Sequence, residues 1–580
     1  MDNQRLITWG LFAFLAFMTW QAWNQDYGPQ PVPPAAETAA PNSDLGTADL
    51  PGIPAGDSEA LPAVQAADAP ADPAPDAAAT ASPAAKVIVV RTDVVELHID
   101  TRGGSLVYAE MLRYPVHKDR PEKVVLLNTA PNDVGVIRSW LRARDGDAPD
   151  ADTIYTASRE RYELGDADEL VVPLTWDSGN GVTVEKRFVL RRGQYAVALE
   201  QRVSNAGDAP WTGDQVTQLI RRAHEPDRSM FDPDTYSFDG PLVFDGDKAE
   251  KLELDDLADG DPEKYTGRNG NTTDDGWVAS IQHHFLSAII PDEGSTNVYT
   301  VRLSNGHTTA SVIGAPETIE PGGSAVFART LFVGPKLQDQ LGEIHPKLDL
   351  SVDYGLLTLL SAPMFWLLAW IHGFVGNWGW AIILVTLIIK LAFYKLTAAS
   401  GRSMAKMREI QPRMKALQDR YKDDRQALSQ AMMDLYKREK INPAAGCLPI
   451  LIQMPFFLAF YWVLIESVEM RQAPFALWIN DLSVRDPYFI LPLIMGAAML
   501  FQQKLNPATP DPVQARVMQI MPVMFTVFFA FFPSGLVLYW VTNTLLSIAQ
   551  QWRINKVVHA EAMARKAGRK KNKKGGDDNE

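Results

Sequence analysis

The chain has 580 residues, with 55 Lys+Arg against 70 Asp+Glu, a net charge of −15 and a single cysteine. This length is enough for two or three domains. The lone Cys447 excludes an intrachain disulfide and argues against a metal site built from cysteines. The net charge hides a sharp division, because residues 24–352 carry a net charge of −25 whereas residues 353–580 carry +10.

The first predicted element is an N-terminal membrane anchor over residues 1–27. Its apolar stretch, LITWGLFAFLAFMTWQAW, begins at Leu6 and follows a single basic residue, Arg5. The stretch lacks a cleavage site of small residues, and Trp20 and Trp23 at its far end suit a membrane interface. We therefore favour an uncleaved anchor over the alternative, a signal peptide.

Two regions of different composition follow the anchor. Residues 28–85 are rich in Ala, Pro and Asp without a periodic apolar pattern, which predicts a disordered linker. From residue 86 to about 345, short β-branched runs such as VIVVRTDVVELHID are broken by Gly, Asn and Asp. This pattern predicts a large antiparallel β-sandwich.

The pair His283-His284 is the most conspicuous candidate for chemistry in that region. No other residues with metal-ligand spacing surround it, so we interpret the pair as strand residues, one facing inward and one outward. The region also shows no Ser-His-Asp or glycosidase pattern. We therefore expect no catalytic residues, no metal and no cofactor in this region.

Residues 346–377 can be placed in two ways. The stretch Tyr354–Val375 is long enough to span a membrane. If it did, residues 397–446 with their eleven Lys/Arg would lie outside, against the positive-inside rule. We therefore predict an interfacial amphipathic helix, with a break at the turn Gly376 to Gly379 before the next span.

Five further apolar runs are predicted to span the membrane within a core at residues 378–556. With the anchor they give six spanning helices, both termini on the cytoplasmic side, and a basic cytoplasmic tail at residues 557–580. The charges agree with this topology, since the outside loop 468–487 holds only Arg471 and Arg485. The predicted runs are roughly Trp380–Leu396, Cys447–Ser467, Tyr488–Lys504, Val517–Phe532 and Leu536–Trp552.

Residues 399–441 predict a cytoplasmic hairpin of two antiparallel helices. Apolar residues recur at intervals of three to four on either side of Asp423-Asp424, as a helical pair requires. Methionines suit adaptable apolar contacts with a substrate or ribosome, but for most of them we favour the alternative that they pack the two helices together. The methionines considered are Met404, Met407, Met414, Met432 and Met433.

Polar residues within the predicted spans indicate a shared hydrated groove. Thr386, Lys390 and Tyr394 share one helical face, and Tyr539, Asn543 and Ser547 have the same spacing on the last helix. Polar groups in hydrocarbon are costly unless they are paired or hydrated. The predicted groove residues are Lys390, Thr386, Tyr394, Gln453, Gln519, Thr526, Tyr539, Trp540 and Asn543.

Lys390 has two interpretations. A charge inside a span costs about 2.5–3.5 kcal/mol on insertion scales, so it usually marks a functional site. However, Lys390 lies only five residues, about 7 Å, from the inner end of its run at Lys395. Its side chain could therefore extend to the membrane surface instead. The residues alone leave both interpretations open.

The basic half contains three long motifs: MMDLYKREKINPAAGCLPILIQMPFFLAFYWVL (432–464), RQAPFALWINDLSVRDPYFILP (471–492) and FPSGLVLYWVTN (532–543). These motifs closely resemble the YidC/Oxa/Alb family of membrane protein insertases. The resemblance covers about residues 354–556 and extends more weakly to the anchor and the β-domain, as in Gram-negative members.

The resemblance implies a five-helix core with a hydrophilic groove that is open to the cytoplasm and lipid and contains a positive charge. Most members have arginine where this chain has Lys390, so the charge is retained but the two-pronged guanidinium is not. Thr386 and the aromatic pair Tyr539-Trp540 match positions that approach the substrate. Trp540 is a smaller departure, since tyrosine is commoner there.

The resemblance also implies the function and the partners. The protein would help nascent membrane proteins with short, often acidic translocated segments to insert into the bacterial inner membrane, alone or with the Sec translocon. The ribosome and anionic lipids would contact the basic hairpin and tail. Two other classes were weighed: a transporter or channel, for which no internal repeats are found, and a carbohydrate enzyme in the β-domain.

Overall fold

The computed structural model describes residues 85–574, apart from residues 119, 225–236, 259–271, 293, 422–423, 440–447 and 506–511. The predicted anchor at residues 1–27 and nearly all of the linker at 28–85 lie outside the described residues. Among the described residues, contacts form two compact units, one containing residues 85–224 and 237–352, the other residues 353–574. Each unit is described by itself.

The first unit is built from β-strands. Their bounds are β1 (Val87–Arg91), β2 (Val95–Asp100), β3 (Ser105–Pro115), β4 (Lys123–Leu127), β5 (Gly135–Asp145), β6 (Thr156–Ala157), β7 (Arg161–Glu163), β8 (Glu169–Asp177), β9 (Val182–Arg191), β10 (Ala196–Asn205), β11 (Trp211–Arg222), β12 (Asp239–Phe244), β13 (Ala249–Lys251), β14 (Thr272–Thr273), β15 (Trp277–Gln282), β16 (Phe285–Pro291), β17 (Asn297–Ser304), β18 (His307–Gly314), β19 (Glu317–Ile319) and β20 (Ser324–Pro335). Two helices accompany them, α1 (Leu254–Ala258) and α2 (Gln338–Ile344).

The strands form two sheets. The first has eleven strands in the order β14-β17-β18-β11-β5-β3-β2-β1-β7, with β19 paired to β11 and β4 to β3. The second has nine strands in the order β13-β12-β15-β16-β20-β10-β9-β8-β6. Neighbouring strands run antiparallel, except that β1 and β7 are parallel.

The two sheets pack face to face, and burial alternates along their strands. On β9 and β10 every second residue is buried, as expected for strands with one face on a core. Side chains also bond from one sheet to the other: Gln201 Nε2 on β10 donates to Ser139 Oγ on β5 at 3.3 Å. This arrangement confirms the predicted β-sandwich.

His283 and His284 occupy a hairpin turn, not a strand as predicted. They connect β15 to β16, whose residues Gln282 and Phe285 are paired directly across the turn. His283 has a φ of 49°, a left-handed conformation that turns require and strands do not use. The rings stack at 3.7 Å between centroids. No group of metal ligands was found among the described residues.

The second unit is helical. Its helices are α3 (Thr358–Val375), α4 (Trp378–Ala392), α5 (Tyr394–Arg420), α6 (Arg425–Glu439), α7 (Leu448–Glu466), α8 (Ile490–Leu505), α9 (Pro512–Phe529) and α10 (Ser534–Lys574). Short 3₁₀ turns at Gly355–Leu357 and Val468–Met470 accompany them, and a third at Leu348–Ser351 belongs to the first unit. Helix α10 continues through most of the region predicted to be a separate tail.

By length and composition, α3 is the one helix in the described part of the chain that could cross a membrane. The pair α4 and α5 would count as a second if the bent pair formed one span. The exposed face of α3 is apolar. That face includes Leu359, Trp366, Trp370 and Phe374. The interfacial placement of α3 stays a prediction.

The predicted break after α3 is confirmed. Gly376 has a φ of 65°, which favours glycine and ends the helix, and its N–H bonds the carbonyl of His372. Asn377 then caps the start of α4, since its side-chain oxygen accepts a hydrogen bond from the Trp380 N–H at 3.1 Å.

A second break was not predicted. The apolar run through Leu396 was expected to form one continuous helix, but α4 ends at Ala392 and α5 begins at Tyr394 after a bend of 68°. Phe393 lies between them. Residues on either side of it therefore do not share the helical face that their spacing suggested.

The helical hairpin was predicted correctly. Helices α5 and α6 pack through a cluster of Ile410, Met414 and Leu435, with Met407 and Met432 against it. At the other end of α5, Ala398 packs against Ile554 and Val558 of α10. The first arm starts five residues earlier than the predicted boundary at residue 399.

Candidate functional site

Lys390 lies in the last turn of α4 and points into the helical unit. Its ammonium donates to Ser547 Oγ on α10 at 2.7 Å and to Gln453 Oε1 on α7 at 3.4 Å. Both acceptors are neutral. The side chain thus connects three helices instead of running along its own helix toward Lys395, which supports the groove interpretation over extension to the membrane surface.

The acceptors of Lys390 are themselves held in place. Ser547 Oγ donates to the Asn543 carbonyl oxygen at 2.7 Å, one turn earlier on α10. Gln453 and Tyr539 both line the same pocket. Thr386 Oγ1, one turn before Lys390, donates to the carbonyl oxygen of Ile382 at 2.7 Å. Polar groups from α4, α7 and α10 therefore converge at one place.

This place is a small open pocket with a cavity volume of about 30 Å³, and it opens to the surroundings. Among the described residues that line it, Lys390 carries the only formal charge. An ammonium whose partners are neutral retains its attraction for an anion. The lining residues are Thr386, Ile389, Lys390, Phe393, Leu396, Thr397, Gln453, Phe456, Tyr539 and Asn543.

Aromatic side chains form a wall beside the polar groups. Tyr539 is 2% exposed and stacks on Phe460 with ring centroids 4.7 Å apart. Phe393, at the bend, meets Phe456 edge to face at 5.2 Å. Such pairs add rigidity and about 0.5–1.5 kcal/mol each beyond their buried area. The pocket therefore joins a polar centre to apolar walls.

Five of the predicted groove residues meet at the pocket: Thr386, Lys390, Gln453, Tyr539 and Asn543. Four others lie elsewhere. Tyr394 follows the bend and packs against the cluster of Ala398, Ile554 and Val558. Gln519 is exposed on α9. Trp540 packs edge to face on Phe457 at 4.8 Å, and Thr526 lies against Gly496 of α8. The functional roles of all nine stay predictions.

The predicted site does not include Ser547. Its spacing of four residues from Asn543 and eight from Tyr539 was the signal that could have included it. Ile389, Phe393, Leu396 and Phe456 offered no such signal, because apolar residues are expected throughout a span. Thr397 reaches the pocket because of the bend.

The hairpin methionines divide by exposure. Met414 is 3% exposed inside the hairpin, and Met407 and Met432 pack against the same cluster. Met433 is 54% exposed, and Met404 is partly buried. Packing therefore accounts for Met407, Met414 and Met432, which leaves Met433 as the methionine best placed to meet another molecule.

Family models match both halves of the chain. The model described as "60Kd inner membrane protein" matches residues 370–561, and the model described as "YidC periplasmic domain" matches residues 87–367. Together they cover the pocket and the β-sandwich.

Relatives match along nearly the whole chain. A membrane protein insertase YidC from Thioalkalivibrio sulfidiphilus is 47% identical over 98% of this chain and 100% of the relative. One from Nitrosococcus oceani is 45% identical over 97% and 100%. A crystal structure of an active YidC insertase is 23% identical over 81% of this chain and 92% of its own, with a TM-score of 0.38. On the family models and the full-length relatives, the chain belongs to the YidC family of membrane protein insertases.

Proposed function

We propose that this protein is a membrane protein insertase, not an enzyme, and that Lys390 in its open pocket receives the translocated segment of a nascent protein. Family membership supports the general function. The observation that carries the specific role is the ammonium of Lys390, held among neutral partners beside unfilled space.

The mechanism requires no chemical step. A short acidic segment of the substrate enters the pocket, attracted by Lys390. Gln453, Asn543 and Thr386 offer hydrogen-bonding groups there, which lower the cost of taking polar backbone out of water. The adjoining apolar segment then moves into lipid, where burial of about 20 apolar residues drives completion. A membrane potential favours outward movement of each negative charge by about 2.3 kcal/mol per 100 mV.

The topology that we propose places the pocket correctly for this task. Six spans, with both termini in the cytoplasm and the β-sandwich in the periplasm of a Gram-negative bacterium, put the hairpin of α5 and α6 on the cytoplasmic side. The Lys and Arg side chains in the segment 397–446 and at the end of α10 then face the cytoplasm, as the positive-inside rule requires.

The same topology suggests the order of contacts. A nascent segment leaving the ribosome would meet the hairpin first, and Met433 offers an exposed, adaptable apolar side chain there. The basic charges of the hairpin and of α10 suit anionic lipids and ribosomal RNA. Larger substrates would require cooperation with the Sec translocon.

Site-specific photocrosslinking to a stalled nascent chain tests this function. Probes replacing Thr386 and Asn543, which line the pocket, should crosslink to an acidic-tailed substrate at an early stage of insertion. A probe at Leu359, exposed on α3, is the matched control and should crosslink weakly. Equal crosslinking from all positions, or ion passage through reconstituted protein without insertion, would favour a transporter or channel instead.

A further inference from the structure

The Ser547 hydroxyl has a fixed role in its bond to Lys390. A hydroxyl has one hydrogen to donate, and Ser547 donates it to the Asn543 carbonyl oxygen at 2.7 Å. A lone pair on Ser547 Oγ then accepts a hydrogen bond from the Lys390 ammonium, with 2.7 Å between Nζ and Oγ. Ser547 therefore accepts from Lys390 and cannot exchange roles without losing its own backbone bond.

Ser547 is the stronger of the two acceptors of Lys390. The bond to Ser547 has the length of a charge-assisted hydrogen bond, whereas the contact with Gln453 at 3.4 Å is long. A lysine near the end of its helix has a long flexible stem that can extend toward water. Without Ser547, little would keep the ammonium in the pocket.

We propose that Ser547 is a positioning residue that keeps the Lys390 ammonium in the pocket as a cation free to bind a substrate carboxylate. The inference rests on the proposed function. An ammonium has three hydrogens, and the two bonds to Ser547 and Gln453 use two of them. The third can bond an incoming carboxylate while the bond to Ser547 remains. A neutral acceptor holds the charge without cancelling it, which an acidic partner would do.

Ser547→Ala and Ser547→Thr in the full-length protein, reconstituted in vesicles, test this role. Each is measured with an acidic-tailed substrate and with the same substrate after its tail carboxylates are changed to amides. Ser547→Ala should reduce insertion of the acidic-tailed substrate roughly tenfold, the usual effect of losing a hydrogen bond to a charged group, and spare the amide version. Ser547→Thr keeps the hydroxyl and should restore insertion.

Two further variants separate positioning from folding. Thr544→Val changes a buried residue of the same helix that does not line the pocket and should leave both substrates unaffected. In a Lys390→Ala background, Ser547→Ala should add no further loss, because its effect acts through the ammonium. Equal loss for both substrates, or additive losses in the double variant, would overturn the proposal.

The outcomes also distinguish this inference from the proposed function. If Lys390→Ala itself leaves insertion of the acidic-tailed substrate unchanged, the role of the charge fails, and the role of Ser547 fails with it. If Lys390→Ala impairs insertion but Ser547→Ala does not, the charge is used without Ser547, and only the present inference is overturned.

Discussion

Lys390 and Ser547 are 157 positions apart in the chain, yet the Lys390 ammonium bonds the Ser547 hydroxyl oxygen at 2.7 Å. This bond joins α4 to α10 and holds a positive charge in the lining of an open pocket. The position of the Lys390 ammonium therefore depends on how α4, α7 and α10 pack together. The predictions below test that packing, the β-sandwich and the function.

Gly379 near the start of α4 should not tolerate a side chain. A Cβ added there would collide with the ring of Phe475, and Asn377, which caps α4, donates to the Phe475 carbonyl oxygen at 3.0 Å. Gly379→Ala should therefore destabilise the helical unit by about 1–3 kcal/mol, the usual cost of overpacking. Thermal unfolding of the purified protein in detergent measures this.

Gly373→Ala is the matched control for that experiment. A Cβ at Gly373 meets no atom within 4 Å, and alanine is favoured over glycine inside a helix by about 0.5–1 kcal/mol. Gly373→Ala should leave the midpoint temperature of thermal unfolding unchanged or raise it. Similar losses in both variants would show that the contact between Gly379 and Phe475 does not determine stability.

Two hairpin methionines should respond differently to truncation. Met414→Ala removes a buried side chain from the cluster with Ile410 and Leu435, so it should destabilise the hairpin by about 2–5 kcal/mol. Met433→Ala changes an exposed side chain and should alter stability by less than about 0.5 kcal/mol. Hydrogen exchange of α6 distinguishes the two, and equal protection in both variants contradicts the assigned packing.

The β-sandwich should become more stable as pH rises above 7, because of Lys186. This residue is fully buried, and its ammonium donates to the carbonyl oxygens of Gly103 and Ser139, each at 2.7 Å. Burial lowers the pKa of Lys186 to about 7 from its usual 10.5. Between these values the unfolded chain binds the additional proton, so the free energy of unfolding increases with pH.

The increase from pH 7 to pH 9.5 should be up to about 3 kcal/mol, from 1.36 kcal/mol per pKa unit. Pulse proteolysis of the full-length protein in urea at the two pH values measures it, and Lys186→Met should remove this part of the pH dependence. The exposed Lys248→Met is the control and should keep it. If the free energy of unfolding of Lys186→Met rises with pH as steeply as that of the unchanged protein, Lys186 is not the source of the pH dependence.

Local sequence patterns predicted most of the fold but only part of the site. Short β-branched runs broken by Gly, Asn and Asp predicted the β-sandwich, and the spacing of apolar residues around Asp423-Asp424 predicted the hairpin. The bend at Phe393 could not be predicted, because no proline or glycine marks it within the apolar run. That bend removes Tyr394 from the pocket and brings Thr397 into it.

Tertiary packing accounts for the other differences. Thr526 carries a polar group within a predicted span, but its hydroxyl is used by the carbonyl oxygen of Pro522 at 2.7 Å, and it lies against Gly496. A residue of this type looks the same in sequence whether it lines a groove or packs two helices. Ser547, by contrast, was detectable from its spacing, and only the structure shows that it meets Lys390.

Insertion by the purified protein in vesicles, compared between Lys390→Ala and Lys390→Arg, tests the central claim most directly. With a small acidic-tailed substrate, Lys390→Ala should impair insertion by at least about tenfold, because the pocket loses its charge. Lys390→Arg keeps the charge and should be tolerated. Equal activity of Lys390→Ala and the unchanged protein across acidic and neutral substrates would contradict a role for the charge in the pocket.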